Sequence, residues 1–146
     1  AGEGGLVRLA FDTHADAALL AARAHRPAPR AAAQLEGART ALGAYFGADA
    51  HDAGATVDWA ALPDDAEAAL AGVAALPYAG ARSYHRVGGP RSSRELGRWC
   101  GENPVPVVVP CHRVLRGDDP VDYTGGLERK EALIDHERRR AERTPS

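Results

Sequence analysis

Nothing in the 146 residues approaches the roughly 18 consecutive apolar residues of a membrane-spanning helix, so such a span is excluded. The sequence also lacks the charged-then-apolar opening of a secretion signal, and the expectation is a soluble, cytoplasmic protein with no membrane partner. Bulky hydrophobic residues are scarce. The 45% hydrophobic content contains 31 Ala, against 13 Leu, 10 Val and a single Ile. A thin core of small residues favours helices and limits the energy that burial can supply. Cysteine is limited to Cys100 and Cys111, with no CxxC. Two thiols build neither a disulfide framework nor a four-thiolate zinc site, which leaves either a small buried side chain or a nucleophile. Lysine is almost missing: Lys130 stands alone.

What is present is unevenly placed. The formal charge of −2 hides a cationic middle. Residues 1–81 carry a net −5 and residues 117–146 a net −2. Residues 82–116 hold Arg82, Arg86, Arg91, Arg94, Arg98, Arg113 and Arg116 against Glu95 and Glu102, a net of +5. A basic segment inside an acidic chain points to an anionic partner, and arginine suits forked contact with phosphate. The competing explanation is a solvated face in an arginine-rich protein.

The chain reads as short elements. Residues 6–11 alternate as a strand does. Residues 31–45 form an Ala-rich helix with Leu35, Leu42 and Phe46 along one side. A Gly/Asp-rich connection over 51–56 marks a lobe boundary. A second helix over 64–76 has acidic residues in its first turn, where the backbone dipole favours them, and Pro77 and Gly80 stop it. Ser92 and Glu95 have capping-box spacing, which starts a helix that ends near Cys100 and carries Arg94 and Arg98 one turn apart. With a helical turn over 83–87 and the intervening Gly88-Gly89-Pro90, this is the outline of a helix-turn-helix. Residues 138–146 read as a frayed tail.

The segment over 103–114 reads Asn-Pro-Val-Pro-Val-Val-Val-Pro-Cys-His-Arg-Val. Pro104 and Pro106 keep it out of a central strand, so it is expected to be extended, rigid and apolar. It ends by presenting Cys111 beside His112. A thiol attacks as thiolate, and a nearby imidazole is a common means of lowering its pKa. Chain neighbours in a strand face opposite ways, so coupling would pass through a water or a bend. A base also needs an orienting group. Glu137 falls four residues after Leu133 and three after Ile134 and so shares their inward face. A carboxylate there needs a partner, and His112 is the candidate. The alternative places Glu137 in a solvated stripe with Arg138 and Arg140.

Asn103-Pro104, Pro110-Cys111-His112-Arg113-Val114, Tyr123-Thr124-Gly125-Gly126 and the helix ending at Glu137 closely resemble the 6-O-alkylguanine-DNA alkyltransferases, also called methylated-DNA–protein-cysteine methyltransferases. Leu76-Pro77-Tyr78 and Ser83-Tyr84 are similar to that family's loop into its helix-turn-helix. Arg94 and Gly97 sit where its recognition helix carries Arg and Gly, and Tyr45-Phe46 is similar to a stretch of its N-terminal lobe. The likeness is dense over residues 76–137 and thin before them.

The resemblance implies an α+β fold: a small N-terminal α/β lobe over 1–56, then a mostly helical DNA-binding and active-site domain over 57–146 with a shortened helix-turn-helix. It implies a single-turnover transferase that binds double-stranded DNA, flips an alkylated guanine from the stack and moves the alkyl group irreversibly to cysteine. Cys111 would be the acceptor at the floor of a base-sized cavity, His112 the base acting through a water, Glu137 its orienting acid, and Asn103 the holder of the turn. Tyr84 would crowd the phosphate and Arg94 would enter the stack. Gly97, Arg98 and Arg113 would complete the DNA-facing set. Val109, Pro110, Tyr123 and Thr124 would line the pocket, with Tyr123 donating to the departing guanine. Family members need no diffusible cofactor, and a monomer is expected here. No metal site is expected, since His14, His25 and His51 are scattered.

Some positions depart from the family pattern. Tyr84 and Arg94 are ten residues apart, a shorter interval than the family's. Glu95, Trp99 and Cys100 replace small or flexible residues, and Thr124 replaces Ser. Two other readings therefore stand beside the first. One is a divergent relative that binds alkylated DNA, or another alkylated substrate, without efficient guanine repair. The other is a Cys–His hydrolase, which no oxyanion-hole pattern supports.

Overall fold

Helix α1 spans Pro29–Gly47 and turns a stripe of small residues inward. Ala31, Ala38 and Tyr45, spaced by seven, are buried, whereas Leu35 and Phe46 are 44% and 53% exposed. The apolar side expected from Leu35, Leu42 and Phe46 is thus not the packed one. Alanines let the helix approach closely, and that approach carries the Tyr45 ring into the centre. Leu42 is partly buried at the margin. The computed structural model describes residues 4–9, 11, 29–47, 50–87, 93–120 and 123–143. The Gly88-Gly89-Pro90 turn, Arg91, the Ser92 half of the capping box, His14 and His25 lie outside them.

The strand expected over 6–11 is replaced by one parallel bridge, Leu6 with Val57. Leu6 N donates to Thr56 O at 2.7 Å, but Leu9 N donates to Pro104 O at 2.8 Å. The two ends of the segment bond to different partners, so no ladder forms among the described residues. Helix α2, Asp64–Ala74, carries Asp64, Asp65 and Glu67 in its first turn and buries Ala66, Ala69, Leu70 and Val73. The loop after it doubles back tightly: a Cβ at Gly80 would lie 2.5 Å from Pro77 Cγ, so only glycine fits.

Strand β1, Arg82–Ser83, pairs in parallel with β2, Val114–Leu115, with Arg82 opposite Val114. A single helical turn, α3 (Tyr84–Val87), and then α4 (Ser93–Gly101) follow β1. Helix α5, Leu127–Arg143, buries Lys130, Leu133 and Glu137 on one face. The tail expected to fray from residue 138 remains helical through Arg143. Arg140 Nη1 ties it down, donating to the carbonyls of Tyr45 at 2.7 Å and Ala50 at 3.2 Å. Residues 144–146 lie outside the described set.

The segment over 103–114 sits inside this shell and is not extended throughout. Pro106 bridges Val109, Val107 takes φ 73°, and the segment ends in a 3-10 turn, Cys111–Arg113. Left-handed backbone at a β-branched residue is strained by about 1–3 kcal/mol and persists only where its surroundings enforce it. Two prolines and the side chain of Asn103 supply that enforcement. The result is the α+β class expected, and α3 and α4 are the two described helical parts of the expected helix-turn-helix. Among the described residues no helix is long and apolar enough to cross a membrane.

Burial assigns weight to the two leucines that periodicity treats alike. Leu70→Ala, at a fully buried site, should cost about 2–5 kcal/mol in urea unfolding. Leu35→Ala, at an exposed one, should change stability by no more than about 0.5 kcal/mol. Equal costs would contradict the observed facing of α1.

Candidate active site

The 3-10 turn at Cys111–Arg113 places three consecutive side chains in the interior, and α5 brings Glu137 against two of them. His112 Nε2 lies 2.6 Å from Glu137 Oε1. Arg113 closes a fork on the same carboxylate, with Nη2 to Oε1 and Nε to Oε2 both at 2.9 Å. Tyr45 Oη donates to Oε1 at 2.8 Å, and Ala79 N donates to Oε2 at 2.9 Å. Glu137 is therefore the buried partner of His112, not part of a solvated stripe.

These contacts decide the charge states. Burial alone would raise the Glu137 carboxyl, but hydrogen bonds and charge from His112 and Arg113 outweigh it and hold the group down to about 2. Burial lowers the His112 imidazole, against the opposing pull of Glu137, so the ring is neutral near pH 7. Its one N–H is assigned to Nε2, because an ionised carboxylate can only accept. Nδ1 then carries the lone pair, and it is buried with no hydrogen-bond partner among the described residues. A neutral ring with a free acceptor nitrogen is the form that takes up a proton.

Cys111 is fully buried. Asn103 Nδ2 donates to its Sγ at 3.1 Å and to Val109 O at 2.8 Å, while Asn103 Oδ1 accepts from Val105 N at 3.0 Å. One amide thus spans the strained turn and reaches the sulfur. The expected imidazole-lowered thiolate is not what the closed site holds. Burial, with a hydrogen bond to the Cys100 thiol, pushes the Cys111 thiol well up, and Asn103 and Lys130 only partly oppose this. Lys130 is a feature that reading the sequence missed. It is wholly buried, and its Nζ donates to Val114 O at 2.5 Å. Its spacing of three before Leu133 and seven before Glu137 was the available signal. Tyr45 was missed as a site residue because its partner lies 92 positions away.

The arginines divide. Arg113 is not at the DNA-facing surface, which corrects its expected place there. Its side chain is 3% exposed and bound to Glu137, with further bonds to Leu76 O at 2.7 Å and Asp52 Oδ1 at 3.2 Å. Arg82, Arg86, Arg94, Arg98 and Arg116 remain exposed. Tyr84, Arg94, Gly97, Arg98 and Arg116 line an open cavity of about 710 Å³ with Ser83, His85 and Gly117. Tyr84 is buried, and its ring would meet a Cβ at Gly97 at 3.9 Å. Arg98 is held by Asp65 of α2 at 2.7 Å and lies over the Trp99 ring.

The four expected pocket residues are not gathered into one cavity. Val109 and Pro110 line a space of about 260 Å³ with Arg113, whereas Thr124 lines another of about 170 Å³ with Asn103 and Pro106. Cys111 lines neither of these. Tyr123 lies between, edge-on to Phe11 at 5.9 Å and to His112 at 6.4 Å. The Phe11 ring packs so close to Gly125 that a Cβ there would meet it at 2.4 Å. Cys111 itself has no exposed surface. Among the described residues no cluster of three or more His, Cys, Asp or Glu is placed to hold a metal ion; His51 stacks on Tyr78 at 4.9 Å.

The chain is similar to known proteins. The family model for the DNA-binding domain of 6-O-methylguanine DNA methyltransferase matches residues 66–139. A methylated-DNA–protein-cysteine methyltransferase of Mycolicibacterium paratuberculosis is 42% identical over 69 residues, which is 44% of this chain and 42% of the relative. The chain thus spans less than half of that curated protein. A crystal structure of Mycobacterium tuberculosis OGT in complex with DNA is 32% identical, with a TM-score of 0.62 over 71% of this chain and 66% of that one. The O6-methylguanine methyltransferase of the same organism gives a TM-score of 0.64 at 31% identity, over 82% and 72% of the two chains.

The carboxylate makes stability depend on pH with a definite sign. Its folded value of about 2 lies below its ordinary 4.5, so the stabilisation is complete above that ordinary value and is lost as pH falls toward 2. Glu137→Gln, which leaves Arg113 with only the exposed Asp52 as counter-charge, should cost about 3–5 kcal/mol near neutral pH. Urea titrations at a series of pH values should show that cost shrinking toward pH 2; a pH-independent difference would contradict the network.

Proposed function

The chain belongs to the 6-O-methylguanine DNA methyltransferase family, and from this we propose that it repairs duplex DNA by taking an alkyl group from the 6-oxygen of guanine onto Cys111. The observation that carries the reading is the connected set Asn103, Cys111, His112 and Glu137, with the accepting nitrogen of His112 unengaged. The sulfur bonds to the alkyl carbon as the carbon–oxygen bond to guanine breaks. The thiol proton passes to His112 Nδ1 through a water, and Glu137 stabilises the imidazolium that results. Tyr123 donates its hydroxyl proton to the departing base, and the imidazolium returns a proton to the phenolate through water, so guanine leaves neutral and His112 is neutral again. The thioether does not hydrolyse, so each molecule acts once. No cofactor takes part.

The substrate is double-stranded DNA carrying alkylated guanine, bound by a monomer along the cavity that holds Arg94, Arg98 and Arg116. Tyr84 and Gly97 form its floor, Arg94 fills the gap left by the flipped base, and exposed arginines meet phosphate. Because Cys111 has no exposed surface, the base reaches it when the residues around the sulfur, Tyr123 among them, move apart. Val109, Pro110 and Thr124 then border one pocket. We divide the chain into an N-terminal lobe over 1–56 and a DNA-binding and active-site domain over 57–146; the family match falls within the latter.

One observation favours a second reading. A sealed, protonated sulfur also suits a relative that binds alkylated DNA without efficient transfer.

Incubation with duplex DNA containing 6-O-methylguanine should add the mass of one methyl group to the peptide holding Cys111 and none to that holding Cys100. Cys111→Ala should abolish transfer while DNA affinity persists and falls steeply with salt. Label on Cys100 would refute the assignment, and binding without transfer by the unaltered protein would favour the second reading.

A further inference from the structure

Among the described residues, Glu137 receives donors from the turn at Cys111–Arg113, from the loop at Ala79, and from one distant element, α1. Resting on the reading of Cys111 and His112 above, we propose that Tyr45 is a positioning residue for alkyl transfer. Its hydroxyl pins the Glu137 oxygen that faces His112 and thereby sets the basicity of the imidazole.

The geometry places Tyr45 in direct competition with the imidazole. Oε1 accepts from Tyr45 at 2.8 Å, from His112 at 2.6 Å and from Arg113 Nη2 at 2.9 Å. Each donor takes a share of the negative charge on that oxygen, so removing one strengthens the hold of the oxygen on the others. Tyr45 has no exposed surface. Its ring is fenced by Phe46 at 4.9 Å, His136 at 5.3 Å and Tyr78 at 6.1 Å. Its own carbonyl accepts from Arg140 and lies 3.1 Å from His136 Nε2. The donor therefore cannot swing away. Burial and Glu137 push its ionisation far up, so it stays a donor across the working range.

Other charged and titratable groups also face His112. Arg113 and Cys111 share its turn, Glu137 and Lys130 face it from α5, and the Tyr123 ring lies 6.4 Å away. Tyr78 and Arg113 are the further groups whose fields reach Glu137.

The test is a titration of His112 by NMR in protein labelled with nitrogen-15 histidine, read beside the pH profile of methyl uptake. Tyr45→Phe keeps the ring and removes the donor. Its His112 midpoint should rise by about half to one pH unit, with the acid limb of the uptake profile moving equally. Replacing Tyr45 with difluorotyrosine, a stronger donor of nearly the same size, should move both the other way. Midpoints that stay put in both proteins overturn the proposal, as does an imidazole shift with no shift in the acid limb. The titration needs no substrate, so failure of the unaltered protein to take up methyl counts against the transfer reading separately.

Discussion

The structure depends on a single buried carboxylate. Glu137 gathers donors from the first helix, from the loop after the second, and from the turn that carries Cys111. An ionised group in the interior is very costly unless every lone pair is engaged. Here the engagement is dense enough to keep the group charged despite its surroundings. The carboxylate also draws segments far apart in the chain to one point. Its attraction for Arg113 explains why that arginine leaves the cationic surface, and its hold on His112 decides which ring nitrogen is free.

A second constraint lies at the sulfur. Val107 is held in left-handed backbone and Asn103 braces the turn with both ends of its amide. The same amide reaches Cys111, so the brace of the backbone and the orientation of the thiol are one device. Burial and the neighbouring Cys100 thiol keep the Cys111 thiol protonated. On the proposed transfer reading, a sulfur that is consumed when it reacts is shielded from solvent in this closed state.

Much of this was legible in residues 76–137, where chemistry dictates spacing. Cys111, His112 and Glu137 were read together from the residues, Asn103 joined them through the family resemblance, and α2 and α4 follow from an acidic first turn and a capping-box spacing. What escaped was long-range or hidden by composition. The facing of α1 was misjudged because Leu and Phe outweigh Ala in any apolar count, yet close approach favours the alanines. The strand over 6–11 had the right alternation, but its two ends bond to different partners. Arg113 was grouped with neighbouring arginines by charge, although only its contact with α5 reveals that it is internal. Lys130 was noted as solitary without its place on the face of Leu133 and Glu137 being drawn.

That lysine has a practical consequence. The chain's single side-chain amine is wholly enclosed, so reagents that acylate amines find no lysine on the folded surface. Acylation at residue 130 would therefore time the opening of the interior, and a crosslinker joining lysines across a complex would find no lysine of this chain while it remains folded.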